Sequence, residues 1–191
     1  QTDLTVDAGL IGAPVCVTYD FSGNSYTNGT DGNSRTYEMS GVSVTATAWS
    51  RDQGNGNWAE AYLGAYSGGL GVTDSSEGSG SYDRHTVDNV GGRDNYVVFQ
   101  FSQDVIVDRA FLGYVVDDSD ISVWIGSSAT PITNVNDALL SSMSLYEENW
   151  TNNGNTRWAD FNAGDVSGNV LIIAANTSDT TPEDKFKMYY T

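Results

Sequence analysis

The sequence contains almost no cysteine, histidine or lysine. Cys16 is its single cysteine and His85 its single histidine, and 8 of the 191 residues are Lys or Arg against 25 Asp or Glu. An intrachain disulfide is therefore excluded, and a zinc centre of thiolates or imidazoles lacks its ligands. The formal net charge of −17 argues against nucleic-acid binding, because Lys and Arg hold the phosphate backbone.

Long hydrophobic runs are also missing. A helix that crosses a bilayer needs roughly 20 consecutive apolar residues, and no stretch of this chain approaches that length. The acidic charge disfavours an anionic membrane surface for the same reason that it disfavours nucleic acid. We therefore expect no membrane insertion.

Glycine and small polar residues are abundant, and the composition includes 39% hydrophobic and 12% aromatic residues. This combination predicts many short strands joined by turns around a real core, and it is unlike a disordered acidic tail. The strands predicted from local sequence are 15–21, 42–49, 96–101, 105–116, 121–125, 169–175 and 186–190.

Apolar periodicity distinguishes three of the segments. Apolar and hydroxyl side chains alternate from Val42 to Trp49, which predicts a half-buried strand, whereas the continuous apolar run from Val170 to Ala175 predicts a central strand covered on both faces. Apolar residues at helical spacing predict one short helix within 134–143, behind a cap at Asn134.

These signals predict an all-β fold, a single antiparallel β-sandwich of jelly-roll type over residues 17–191. Residues 1–16 form a separate N-terminal arm that ends just beyond Pro14. One interpretation of the arm is an ordinary edge strand or a loosely attached terminus. The other is a strand donated to a neighbouring subunit, and its β-compatible residues are Leu4, Val6, Leu10 and Ile11.

Enzyme mechanisms find little support in the residue inventory. A Ser-His or Cys-His nucleophile would have to use His85, and no Gly-x-Ser-x-Gly elbow is present. Glycoside hydrolysis needs only two carboxylates, which so acidic a chain supplies everywhere. We predict a non-enzymatic protein, and a polysaccharide-active hydrolase or lyase stays as an alternative.

Calcium is the metal that the sequence favours, because it prefers oxygen ligands from Asp, Asn and carbonyl groups in loops. Acidic residues cluster at two predicted turns, although neither cluster has the spacing of an EF-hand. The candidate ligands are Asp117, Asp118 and Asp120 in one cluster and Asp88, Asn89 and Asp94 in the other. The alternative is that these side chains only hydrogen-bond the local backbone.

Aromatic residues suggest a second kind of site. Trp58 and Trp150 are candidate platforms for sugar rings, which would make the chain a carbohydrate-binding module. The alternative interpretation places them in the core. His85 precedes Asp88 by three residues, so a hydrogen bond between the two could fix a long loop.

A series of segments between residues 17 and 190 resembles the secreted bacterial β-sandwich proteins of the PEP-CTERM, exosortase-associated kind. The segments that carry the resemblance are Thr18-Tyr19-Asp20-Phe21, 41–50, 66–72, His85-Thr86-Val87-Asp88-Asn89 with Asp94, 96–101, 108–114, 117–120 and 184–188. The family's Pro-Glu-Pro motif, apolar helix and basic tail do not follow in this sequence, and the arm before Val17 is longer than the resemblance leads us to expect.

The resemblance implies a protein exported to the cell surface or extracellular matrix, without known enzymatic activity. Scarce lysine and a first residue of Gln1 rather than Met point in the same direction. We therefore expect an extracellular structural protein, stabilised by calcium, that self-associates into a homopolymer or filament. An extracellular polysaccharide is the alternative partner.

Overall fold

Two antiparallel β-sheets packed face to face make up the protein. The computed structural model describes residues 16–23, 32–77, 85–148, 154–178 and 181–191. The strands are β1 Ser34–Met39, β2 Val42–Asp52, β3 Trp58–Glu60, β4 Tyr62–Tyr66, β5 Gly69–Thr73, β6 Val87–Asp88, β7 Arg93–Ile106, β8 Arg109–Asp117, β9 Ile121–Gly126, β10 Ser144–Glu148, β11 Arg157–Asp160, β12 Ser167–Ala175 and β13 Asp184–Tyr190. The helix, α1, spans Asp137–Ser141.

The larger sheet has seven strands in the order β1-β2-β7-β12-β9-β10, with β3 paired to β2. The smaller sheet has six strands in the order β11-β8-β13-β5-β4, with β6 paired to β13. These pairings confirm the predicted antiparallel β-sandwich. The jelly-roll connectivity stays a prediction.

The continuous apolar run lies where its composition predicts. β12 is the central strand between β7 and β9, and its residues from Val170 to Ala175 are all buried. Each of its faces packs against a separate apolar cluster: Leu171 and Ile173 face the core between the sheets, whereas Val170 and Ile172 face a second core.

The second core lies on the outer face of the larger sheet. Trp49, Tyr96 and Trp124 form its floor, and Val135 and Leu140 pack on it from the segment that contains α1. This segment therefore covers a sheet face that would otherwise be exposed to solvent, which explains why β12 is apolar on both sides.

The predicted alternation of β2 is confirmed, because Val44, Ala46 and Ala48 are buried in the core between the sheets. The helix is shorter than the predicted 134–143. It begins at Asp137 behind an Asn136 cap, whose side chain accepts a hydrogen bond from the Leu139 N–H. Val135 is fully buried and Asn136 is extended, so the chain enters the helix later than its apolar pattern suggests.

Two predicted strands also differ from the structure. The segment predicted as one strand over 105–116 is interrupted between Ile106 and Arg109, where the chain passes from the larger sheet to the smaller one. The segment predicted as a strand over 15–21 makes one β-bridge, from Asp20 to Tyr190. Among the described residues, no helix is both long and apolar enough to span a membrane.

Candidate metal centre

Three carboxylates meet at one edge of the sandwich. Asp118 and Asp120 lie in the turn between β8 and β9, and Asp184 is the first residue of β13. One carboxylate oxygen from each of them lies within 4.8 Å of the other two. The three residues are between 1% and 5% exposed, so the cluster is almost completely removed from solvent.

Backbone pairing brings the turn and the strand together. Asp118 forms an isolated parallel bridge with Asp184, and the Lys185 N–H donates to the Asp118 carbonyl at 3.0 Å. The Asp120 N–H donates to Asp184 Oδ1 at 2.7 Å, and the Asn176 N–H donates to the Asp120 carbonyl at 3.0 Å. Main-chain hydrogen bonds thus fix the positions of all three carboxylates.

Asn89 ties a third part of the chain to this cluster. Its Oδ1 accepts a hydrogen bond from the Asp184 N–H at 3.0 Å, while its Nδ2 donates to Asp184 Oδ2 and to the Asn176 carbonyl, both at 3.1 Å. Asn89 is 3% exposed. The cluster therefore joins the loop after β6, the β8–β9 turn, the end of β12 and the start of β13.

This arrangement disfavours the charged form of the Asp184 carboxyl group. Burial raises the pKa of its carboxyl group to about 7, and the neighbouring negative charges of Asp120 and Asp118 contribute in the same direction. The hydrogen bonds from Asp120 and Asn89 oppose the shift without cancelling it. A divalent cation bound between the carboxylates would remove both the repulsion and the desolvation penalty.

Asp117 is the member of the first predicted cluster that lies outside this group. It is exposed, its φ is 65°, and its Oδ2 accepts an ion-paired hydrogen bond from Lys185 Nζ at 2.6 Å. Asp117 therefore pairs with Lys185 and takes no part in the buried group.

The second predicted cluster separates in the structure. Asp88 faces a different buried group, in which Asn95 Nδ2 donates to Asp88 Oδ1 and Asp74 Oδ2, both at 3.2 Å. Burial raises the pKa of Asp88 to about 6. Asp94 accepts a hydrogen bond from Gln53 Nε2 at 2.7 Å. Only Asn89 of this predicted set adjoins the three carboxylates.

The remaining predicted residues fall at other places. Trp58 packs partly buried against the second core, and its indole N–H donates to Asp137 at 2.8 Å. His85 hydrogen-bonds Thr73 at 2.6 Å, while Asp88 accepts from Thr86 at 2.6 Å, so the loop is fixed by other partners than the predicted His85–Asp88 pair. Trp150, Leu4, Val6, Leu10 and Ile11 lie outside the described residues.

Asp184 is the residue that the sequence-based search for ligands missed. It lies 64 residues from Asp120 along the chain, beside Glu183 and Lys185, and no local acidic run marks it. A signal does exist: Asp184 opens an apolar strand, and strand ends are where polar side chains can gather at a sheet edge.

Comparison with family models, curated proteins and solved structures found no match to this chain.

Proposed function

We propose that this chain is a non-enzymatic, exported structural protein of the cell surface or extracellular matrix, held in its fold by calcium and able to self-associate. The observation that carries the calcium part is the buried group Asp118, Asp120 and Asp184. Export and self-association rest on the composition and on the resemblance described above.

Calcium suits this group better than other common metals. The donors are carboxylate oxygens, which are hard ligands that Ca²⁺ and Mg²⁺ accept, and no His or Cys contributes a ligand of the kind that zinc prefers. Calcium tolerates irregular geometry and carbonyl ligands, whereas magnesium demands an octahedral shell and retains several waters. A nearly solvent-free group is therefore suited to calcium.

The position of the group supports a structural role for the ion. It connects segments that are distant in sequence, namely the loop at Asn89, the turn at Asp118 and Asp120, and the start of β13 at Asp184. An ion bound there acts as a crosslink between loops of the sandwich. Because the carboxylates are buried, they are poorly placed to reach a bond in a polymeric substrate, which supports a non-enzymatic protein.

Thermal unfolding with and without calcium tests this proposal. An ion that binds only the folded state stabilises it by about 2.7 kcal/mol at one hundred times its dissociation constant. We expect chelator to lower the melting temperature of the intact chain and millimolar calcium to restore it. Asp184→Asn should abolish this response.

Asp94→Asn is the matched control, since it removes a buried carboxylate that lies outside the group and accepts from Gln53. This variant should keep the full calcium response. Identical unfolding of the intact chain in chelator and in calcium would refute the proposed site. Loss of the response in Asp94→Asn but not in Asp184→Asn would move the site to the other sequence-predicted cluster.

A carbohydrate-binding module is the second candidate, and one exposed aromatic side chain favours it. Trp158 is 42% exposed on the outer face of the smaller sheet, where its ring lies 6.3 Å from that of Tyr190 at an interplanar angle of 18°. Binding of a glycan that Trp158→Ala abolishes and Trp58→Ala preserves would support this function. Absence of binding across a glycan array would oppose it.

A further inference from the structure

A groove of about 780 Å³ opens between the two sheets at one end of the sandwich. The end of β7, the β1–β2 turn at Ser40–Gly41, and Val17, Tyr19 and Thr191 line it. Its volume falls within the range of about 300–1,000 Å³ that is usual for binding pockets.

Apolar side chains line this groove and extend to its rim. Val42, Phe101 and Val105 contribute to its walls, and these residues belong to or pack against the core between the sheets. At the rim, Ile106 is 55% exposed and Trp158 is 42% exposed. Large apolar side chains that converge on one opening mark an interaction site more strongly than the same residues scattered singly.

The groove also contains an edge of a strand. The ladder between β2 and β7 extends from the pair Asp52–Arg93 to the pair Val44–Phe101, and the Ser43 N–H of β2 donates to Ser102 Oγ at 3.1 Å. The residues of β7 from Gln103 to Ile106 continue beyond these contacts. On this side, within the described residues, they have no ladder partner. An unpaired strand edge is a template for an added strand, whose main-chain hydrogen bonds would supply affinity.

One cation lies at the mouth of the groove. The guanidinium of Arg109 stacks over the ring of Trp158 at 4.6 Å from its centroid, and the side chain is exposed. Arg109 forms no ion pair with any residue that the structure describes. Asp104 and Asp108 line the same groove, and Asp160 is the register partner of Arg109 on β11. Arg109 is therefore one cationic point among carboxylates, and it can attract a single carboxylate of an occupant at the mouth.

The N-terminal segment meets these requirements. It contains Asp3 and Asp7 and neither Lys nor Arg, and Leu4 and Val6 occupy alternate positions that would share one face of a strand. Residues 1–15 precede Cys16, which itself lines the groove. Residues 1–15 are therefore connected to the described chain at a residue that lines the groove.

The segment in the groove is better supplied by a neighbouring copy than by the same chain. Tyr19 is held by Thr191 through two main-chain hydrogen bonds, at 2.7 and 3.3 Å, so 16–19 already serves as a wall of its own groove. A chain entering its own groove would have to reverse at once beside that wall.

We propose that this groove accepts residues 1–13 of a second copy of this chain as an added strand beside the end of β7, with Asp3 or Asp7 paired to Arg109. Each copy then donates one segment and receives another. Such a head-to-tail contact builds a ring if the rotation closes and a filament if it does not. This inference rests on the proposed self-association and gives it a site.

Cysteine crosslinking tests the contact, because Cys16 is the only native thiol and Cys16→Ser gives a cysteine-free chain. The first protein carries one of Leu4→Cys, Val6→Cys and Leu10→Cys in this background. The second protein carries Ile106→Cys, at the groove rim, in the same background. Mixing the two under mild oxidation should give a disulfide-linked heterodimer. The control partner carries Leu145→Cys, which is similarly exposed at 52% but lies on the edge strand β10.

We expect about tenfold more heterodimer with Ile106→Cys than with Leu145→Cys, because a docked segment raises the effective concentration of its thiol near the groove. A chain carrying both Val6→Cys and Ile106→Cys should form a ladder of covalent multimers on a non-reducing gel. A crosslink confined within single chains would overturn the proposal, and so would equal crosslinking to the control.

Sedimentation of the unmodified chain tests self-association separately from the groove contact. If the chain is monomeric at every concentration, the proposed self-association fails and the groove contact fails with it. If the chain assembles but the groove variants do not crosslink, only the groove contact is wrong. The calcium response of the unfolding transition is independent of both results.

Discussion

Lys187 is a buried cation whose surroundings control its charge. It is 6% exposed, and its Nζ lies 4.1 Å from the ring centroid of Tyr114 and 4.6 Å from that of Tyr66. Burial lowers the pKa of its ammonium group to about 8. The two rings attract the cation through their faces, but they do not replace the hydration that burial removes.

This pKa predicts how stability responds to alkaline pH. Between the folded pKa of about 8 and the unfolded value of about 10.4, the unfolded chain binds more protons, so the free energy of unfolding rises with pH through this window. The gain is about 1–3 kcal/mol. We expect Lys187→Met to remove this rise, as measured by urea unfolding of both proteins between pH 7 and pH 10. An identical pH profile for the two proteins would show that Lys187 does not titrate abnormally.

Among the single elements, residues 16–23 make one β-bridge but are firmly packed against the core. Phe21 is fully buried, and its ring lies 5.1 Å from that of Phe99 and 5.0 Å from that of Tyr37. The segment therefore closes the core between the sheets through its side chains, in addition to its main-chain hydrogen bonds to Tyr189 and Thr191.

Truncation of Phe21 should be costly. Phe→Ala substitutions in a packed core cost about 3–5 kcal/mol, and we expect Phe21→Ala to fall in this range by chemical denaturation. Ser22→Ala, at the next position and only partly buried, should change stability by less than about 0.5 kcal/mol. A loss of less than about 1 kcal/mol in Phe21→Ala would mean that the segment is loosely attached to the core.

The individual elements differ in how far the sequence alone could predict them. β2 and β12 were predictable because their apolar patterns record which faces are covered. The acidic turn was predictable as a candidate metal ligand, but the local sequence could not distinguish exposed Asp117 from buried Asp118. The start of an apolar strand marks Asp184 as a residue at a sheet edge, but its approach to Asp120 depends on pairing with the distant β8–β9 turn, which the local sequence does not reveal.

For the whole molecule, net charge decides how self-association depends on salt. Two copies that each carry −17 repel one another, and the screening length falls from about 30 Å at 0.01 M salt to about 10 Å at 0.1 M. The proposed groove contact would gain its affinity mainly from apolar burial and main-chain hydrogen bonds, which salt does not screen. Assembly should therefore strengthen as salt rises, which is the opposite of a contact held mainly by ion pairs.

Arg109→Gln tests the local and the global electrostatic effects together. The variant loses one attraction at the groove mouth and makes each copy more acidic, so we expect weaker association at every salt concentration, about tenfold, or about 1.4 kcal/mol. Added salt should still strengthen the association of both proteins, because repulsion between the whole molecules persists. Arg35→Gln is a control with the same change of charge, since Arg35 lies on β1 and its Nε donates to the Leu63 carbonyl. Sedimentation velocity between 10 and 200 mM NaCl provides the measurement, and association that weakens with salt, or an equal loss in both variants, would contradict the contact as described.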